Sequence, residues 1–191
     1  MTSRAHIVKW ASRTPRPWKN GGGTTFELAA GPPGVDLSSF DWRISVAEVA
    51  ADGPFSTFEG IDRTLVLLEG DGVELVVSDR STILSKARPM LSFDGEAATY
   101  SHLLSGPVRD LNIMTRRGRV SHDVAAPPLG LLAPRSAHWL VFALGGDVTV
   151  TIDGTPFRLD RFDLLVTQGS PSNASLNGHC WLIELHHEQS S

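Results

Sequence analysis

The sequence is short of the groups that mark several large protein classes. It carries one cysteine, Cys180, so no internal disulfide framework can form, and a reducing compartment suits it. Cys180 sits in the apolar run CWLIELH, which reads as a strand holding a buried, inert thiol rather than a nucleophile. No stretch approaches the roughly 18 consecutive apolar residues of a membrane-spanning helix. The opening MTSRAHIVKWASRTPRPWKNGGG has no apolar core and no small-residue cleavage pattern, so no secretory leader is expected and the cytoplasm is the default location. Positive charge is sparse. The formal net charge is −4 and the densest basic cluster is Arg116, Arg117 and Arg119, too short for a nucleic-acid surface.

Histidine is present but not in the arrangement that metal chemistry needs. A metal-dependent β-barrel enzyme presents two histidines two apart on one strand face, then a glutamate and a further histidine. The seven here are His6, His102, His122, His138, His179, His186 and His187, and no two form a His-x-His pair. The adjacent His186 and His187 point to opposite faces of a strand. No metal and no cofactor are therefore expected. No Gly-Lys-Ser/Thr phosphate loop occurs, and no Ser-His-Asp or Cys-His arrangement is readable from spacing.

What the chain does contain is punctuation. Twelve prolines and 18 glycines break it every 8 to 15 residues, which predicts many short strands. Runs rich in Val, Ile, Leu and Thr lie between the breaks, at 42–49, 64–68, 73–77, 111–114, 139–144, 148–152, 162–166 and 181–185. The best helix candidate is the weak stretch from Thr25 to Ala30. The clearest local signal is VTVTIDGTPFRL: Val148, Val150 and Ile152 alternate with threonine, and Asp153-Gly154 supplies the positive φ values of a type I′ turn. The chain also repeats itself. Residues 65–77 align with 140–152 at a constant offset of 75, and Asp110–Met114 takes a place like that of Trp181–Leu185. This predicts an all-β fold of two copies, each rolled up to protect its sheet edges. The boundary is expected in the polar, proline-bearing stretch near Arg116 to Pro128, giving domains 1–118 and 119–191.

Six segments, taken in order, resemble the HutD/Ves family. They are Pro17-Trp-Lys-Asn-Gly-Gly-Gly23, Phe40-Asp-Trp-Arg-Ile-Ser45, Asp52-Gly-Pro-Phe-Ser-Thr-Phe58, Gly60-Ile-Asp-Arg63 leading to Leu67-Leu-Glu-Gly70, Phe93-Asp-Gly-Glu96, and Gly106-Pro-Val-Arg-Asp-Leu-Asn-Ile-Met-Thr115. The second half resembles the family in strand pattern alone. The resemblance implies a double-stranded β-helix (jelly-roll) bicupin with two tandem cupin-like barrels and a metal-free pocket in the first. It also implies a role in histidine utilisation, limiting pathway output by sensing an intermediate such as formylglutamate. One departure is visible: Glu59 precedes Gly60 where the family usually has proline, which puts the local turn in doubt.

The candidate ligand-binding residues are Lys19, Asn20, Gly21, Gly22, Arg43, Ser45, Ser56, Arg63, Asp110 and Asn112, with Glu48, Thr57 and Glu96 of lower weight. The glycines after Asn20 free the backbone for close approaches and exposed N–H groups, and Lys19 adds a cation. The loop therefore reads either as an anion contact or as a tight turn beside a solvated lysine. Arg43 and Ser45 share a face, directed to solvent or to a barrel interior. Arg63 lies in a strand apolar on both sides, so it is buried and needs a partner. That partner is either Glu69 or Asp62 in a structural ion pair, or a ligand carboxylate held bidentately. Asp110, Asn112 and Met114 form a row on one face, with Asn112 able to donate and accept.

Three functions stay open on these residues. The first is a regulatory protein binding a small anionic metabolite. The second is a metal-independent enzyme with Asp110 or Glu48 as general base. The third is an interaction protein with a vestigial pocket. The expected partner is a small anionic metabolite, with no nucleic acid and no membrane. A homodimer is compatible with edge-rich barrels, although no residue pattern demonstrates one.

Overall fold

A computed structural model describes residues 4–34 and 39–188. The described residues form strands, all paired antiparallel, and one three-residue 3-10 turn at Trp10–Ser12. No helix among them is long and apolar enough to cross a membrane. The chain divides into two compact units, Thr14–Arg119 and Met1–Arg13 joined with Val120–Ser191.

The N-terminal strand β1 (Arg4–Val8) belongs to the second unit. The first unit begins with β2 (Arg16–Pro17), β3 (Gly23–Gly31), β4 (Trp42–Val49), β5 (Gly53–Pro54) and β6 (Ile61–Glu69). It continues with β7 (Val73–Val77), β8 (Arg80–Leu84), β9 (Met90–Asp94), β10 (Thr99–Leu103) and β11 (Val108–Arg116). Its larger sheet runs β2-β3-β4-β11-β6-β9 and its smaller one β5-β10-β7-β8. The second unit adds β12 (Val120–Ala125), β13 (Gly130–Leu131), β14 (His138–Ala143), β15 (Val148–Ile152) and β16 (Thr155–Leu159). It ends with β17 (Leu164–Gln168), β18 (Ala174–Asn177) and β19 (Cys180–His187). Its sheets run β1-β17-β14-β19-β12 and β13-β18-β15-β16.

The strand orders superimpose when β4 to β11 are matched in sequence to β12 to β19. One strand order thus occurs twice, and Leu65 and Leu140 lie on equivalent strands. The constant offset of 75 needs one correction. It holds on β7 and β8, where Val73 opposite Leu84 corresponds to Val148 opposite Leu159. It fails on β6. There Leu67 faces Asp110 and Glu69 faces Arg109, so Leu68 is an extra residue, a β-bulge. Before the bulge the offset is 76: the inward Leu65 and Leu67 correspond to Val141 and Ala143, which likewise enter their unit's core. A one-residue slip reverses every side chain, so Leu140 faces away from that core.

The hairpin at Asp153-Gly154 forms as predicted, with φ of 47° and 83° at the two turn residues. The first unit repeats it with Ser78 at φ 56° and without glycine at the second turn position. The stretch from Thr25 to Ala30 is not helical. It is the middle of β3, hydrogen-bonded to β4 on one side and β2 on the other, with a second bulge at Leu28. Tertiary pairing overrides the helix preference of Glu27-Leu-Ala-Ala30.

The expected domain boundary falls one residue short of the end of the first unit at Arg119, but the N-terminal segment is grouped differently from the expectation. β1 adds to the free edge of β17. Lys9 Nζ binds Asp160 and Asp163 at 2.9 and 2.7 Å, and Trp10 N–H donates to Asp163 Oδ1 at 2.8 Å.

Both cores lie between the sheets of their units. In the first, Ala47, Val49, Leu65, Leu67, Val73, Leu75, Leu84 and Val108 are packed by Trp18, Phe55, Leu91 and Phe93. In the second, Trp139, Val141, Val148, Val150, Leu165, Leu176 and Leu182 dominate. Each such aliphatic side chain contributes about 1.5–3 kcal/mol on full burial. Cys180 is buried here and its thiol is pushed up to about 12 by desolvation, so it is protonated at neutral pH, as its apolar run implied.

Candidate functional site

The first core is apolar only along part of its length. On β4 the inward face continues from Val49 and Ala47 to Ser45 and Arg43. On β11 it runs from Val108 through Asp110 and Asn112 to Met114, and on β6 from Leu67 through Leu65 to Arg63. The register brings these together. Ser45 and Leu65 lie on either side of Asn112, and Arg43 and Arg63 on either side of Met114. Two strand spacings separate the two arginine backbones, about 10 Å. Arg43, Ser45, Arg63, Asp110 and Asn112 are all buried.

The two arginines are held in the same way. Arg43 Nε donates to Glu27 Oε2 at 2.9 Å, and Arg63 Nε donates to Asn112 Oδ1 at 2.7 Å. The amide of Asn112 turns its Nδ2 to Asp110 Oδ1, so the amide stands between Arg63 and Asp110. Among the described residues, the Nη1 and Nη2 atoms of both arginines have no hydrogen-bond acceptor. The two structural partners proposed for Arg63 are engaged elsewhere. Glu69 and Glu48 both bind Arg109, while Asp62, Asp94 and Glu96 bind Arg117. Arg63 Cζ instead lies over two aromatic rings, 4.8 Å from the centroid of Phe55 and 5.4 Å from that of Phe93.

Burial controls the protonation of this group. Desolvation pushes the Asp110 carboxyl up to about 7, against the opposing pull of Arg63 and the Asn112 hydrogen bond. Desolvation brings Arg63 down to about 10, with Asp110 opposing and Arg43 adding repulsion. Arg63 is still a cation at neutral pH. The set has two guanidinium forks, one amide and one carboxyl of adjustable charge, and it suits an anion. It does not suit a metal ion: two of its inward groups are cationic and none is a histidine. Among the described residues, no three His, Cys, Asp or Glu side chains gather as a metal site.

The remaining candidates lie elsewhere. The loop Lys19-Asn-Gly-Gly22 connects β2 to β3 and closes on itself. Gly21 N–H donates to Trp18 O at 3.1 Å, Trp18 N–H to Gly23 O at 2.9 Å, and Gly22 N–H to Asn20 Oδ1 at 3.0 Å. Its glycines have local causes. Gly21 takes φ +73°, and a Cβ on Gly23 would stand 2.5 Å from Glu48 O. Gly23 pairs with Val49, six residues along β4 from Arg43, or about 20 Å. The loop and the arginines are therefore at opposite ends of the sheet, and Lys19 and Asn20 are exposed. Ser56 and Thr57 are exposed beyond β5. Glu96 Oε2 accepts from Gly60 N–H at 2.9 Å, beside the turn that Glu59 precedes.

Glu27 was not picked out from the sequence, and Phe55 and Phe93 lie in two of the family-like segments without having been named as site residues. Phe93 carried a faint signal, since Leu91 and Phe93 alternate with Ser92 and Asp94. Phe93 also lines a cleft of about 510 Å3 together with Arg80, Thr82, Leu91 and Ser92. Another polar group lies in the second unit. His138 Nδ1 is 2.8 Å from His187 Nε2, and burial, with His187 adding to it, takes His138 down to about 4.

The fold has solved counterparts. A cupin 2 conserved barrel domain protein from Leptotrichia buccalis matches with a TM-score of 0.56 at 12% identity, covering 96% of each chain. The protein is thus an all-β chain of the cupin type. The HutD family model matches residues 11–183, and the chain belongs to the HutD family. HutD from Pseudomonas fluorescens SBW25, solved in a formate condition, superimposes with a TM-score of 0.87 at 28% identity, covering 97% of this chain and all of that one. An uncharacterised 21.2 kDa protein of the hutC 3′ region of Pseudomonas putida is 34% identical over 178 residues, 88% of this chain and 90% of its own. Protein Ves of Citrobacter koseri is 35% identical over 130 residues, 68% of this chain and 67% of its own.

Proposed function

We propose that this HutD-type protein is a metal-free bicupin whose first barrel binds a small carboxylate metabolite of histidine utilisation, and that it serves regulation rather than turnover. The observation that carries this reading is the pair Arg43 and Arg63. Both are buried, both are held through Nε, and the outer fork of each has no acceptor among the described residues. A buried cation left in this state costs free energy that a bound carboxylate recovers through paired N–H···O contacts. Formylglutamate, the intermediate implied by family resemblance, has two carboxylates for two forks. A reducing cytoplasm suits the lone buried Cys180.

Isothermal titration calorimetry with N-formyl-L-glutamate, urocanate, L-histidine and L-glutamate tests the reading. Binding of at least one carboxylate is expected, weakened about 100-fold or more in Arg63→Ala, in line with the loss of a buried charge-assisted pair. No binding to any of the four, with Arg63→Ala behaving like the parent, would overturn it. A second reading is favoured by Asp110, whose position near pH 7 suits a general base. Conversion of one of these compounds in metal-free buffer, followed by NMR and abolished in Asp110→Asn, would make the protein an enzyme instead.

A further inference from the structure

Two arginines near the barrel site spend their N–H donors on carboxylates. Arg109 binds Glu48 and Glu69, and Arg117 binds Asp62, Asp94 and Glu96. Arg63 is different. Beyond the Nε bond to Asn112, its guanidinium is held by the rings of Phe55 and Phe93. A ring face attracts a cation through its quadrupole and takes no N–H in return. These contacts thus fix the guanidinium while leaving its outer edge available.

The two rings come from opposite sheets. Phe93 is on β9 in direct register with Arg63. Phe55 follows β5 and is anchored by its N–H to Thr99 O at 2.9 Å. Behind Phe55 stands Trp18, edge-on at 6.1 Å between centroids. Trp18 is itself fixed, since Nε1–H donates to Thr25 Oγ1 at 2.8 Å and its backbone closes the glycine turn. The glycine-rich segment therefore meets the barrel site through packing: turn to Trp18, Trp18 to Phe55, Phe55 to Arg63.

We infer that Phe55 and Phe93 are positioning residues that present the Arg63 fork edge-on to a planar carboxylate, with Trp18 as the buttress of Phe55. This rests on the proposed carboxylate site and adds how that site is kept ready.

The test is calorimetric titration of N-formyl-L-glutamate and, in parallel, formate into the full chain. Phe55→Leu keeps an apolar side chain of similar reach and removes the ring face, so Kd rises about 5- to 20-fold. Phe55→Tyr keeps the face and stays within about twofold of the parent. Trp18→Leu weakens binding about threefold. Acting through Arg63 has a signature that a packing defect lacks: in an Arg63→Met background, which keeps an apolar stem and removes the cation, Phe55→Leu changes Kd no further. If Phe55→Leu does not fold, Phe55→Met and Phe93→Leu carry the same comparison. A parent that binds neither anion overturns the carboxylate site and the clamp together. Two results overturn the clamp alone, given a parent that binds. One is that Phe55→Leu and Phe93→Leu leave Kd unchanged. The other is that Phe55→Leu is equally damaging in the Arg63→Met background.

Discussion

The two units share strand order and hairpin length, yet they fill several equivalent core positions with different chemistry. With the bulge at Leu68 allowed for, Arg63 opposite Met114 corresponds to Trp139 opposite Glu184. Asp110 opposite Leu67 corresponds to Cys180 opposite Ala143, and Asn112 opposite Leu65 to Leu182 opposite Val141. Ser45, beside Asn112, corresponds to Ala125, beside Leu182. Of the five polar positions, Arg63, Asp110 and Asn112 give way to the buried Trp139, Cys180 and Leu182, while Ser45 and Arg43 correspond to the exposed Ala125 and Asp123. The fold therefore does not require the polar row. The second unit is apolar where the first has Asp110 and Asn112, and Glu184, in the place of Met114, is satisfied by Arg135 and by the Ser136 N–H, whereas the first keeps the Arg63 and Asp110 charges buried. Retained buried charge of this kind points to use.

The comparison breaks most sharply if the second unit is given one member of the row. Leu182→Asn buries an amide without the arginine and carboxyl that satisfy Asn112, so it should lower the stability of the second unit by about 2–4 kcal/mol. The urea midpoint followed by tryptophan fluorescence would report it, and an unchanged midpoint would mean that the second core is wetter than its burial suggests.

Acid should separate the units next. Asp110 has its folded value raised, so its stabilising contribution is complete below the unfolded value of 3.8 and disappears as pH rises through about 7. His138 has its folded value depressed, so its contribution is complete above 6.5 and is lost as pH falls through about 4. Between these limits the first unit gains from acidification and the second loses. Hydrogen exchange of peptides from 14–119 and 120–188, measured across about pH 4 to 7 and corrected for intrinsic rates, should show slopes of opposite sign. Asp110→Asn should flatten the first slope and stabilise the first unit at about pH 8 by about 1–3 kcal/mol, and His138→Gln should flatten the second. Slopes of equal sign in both units would refute the contrast.

The smallest effect concerns the hairpins. Ser78 bears the positive φ that the second unit meets with Asp153-Gly154. Ser78→Gly should raise stability by about 0.5 kcal/mol, read as a small rise in Tm, because relief of strain slightly exceeds the entropic cost of glycine.

Much of this was legible in the residues. Alternation revealed Val148–Ile152 and the row Asp110, Asn112, Met114, because a period of two survives any tertiary context. Apolar residues on both faces of β6 marked Arg63 as buried. The bulge at Leu68 was not legible, since an extra residue in one strand alters no composition and shows only in the partner's register. Glu27 was hidden inside a segment with helix-forming side chains. Phe55 and Phe93 were hidden because ring-to-guanidinium contacts join β5 and β9 to β6 across gaps in sequence that no local spacing encodes. The loop at Asn20 drew attention for its glycines, whose causes are the turn and the approach to Glu48, while the residue that reaches the site is the tryptophan before them.

The N-terminal strand has a consequence for biosynthesis. Lys9 and Asp163 are 154 positions apart, and β1 completes a sheet whose other members are all translated after the first unit. A growing chain therefore has every strand of the first unit available while β1 still awaits a partner. Order of emergence and order of completion run in opposite directions: β1 is made before the first unit and finds its place after it.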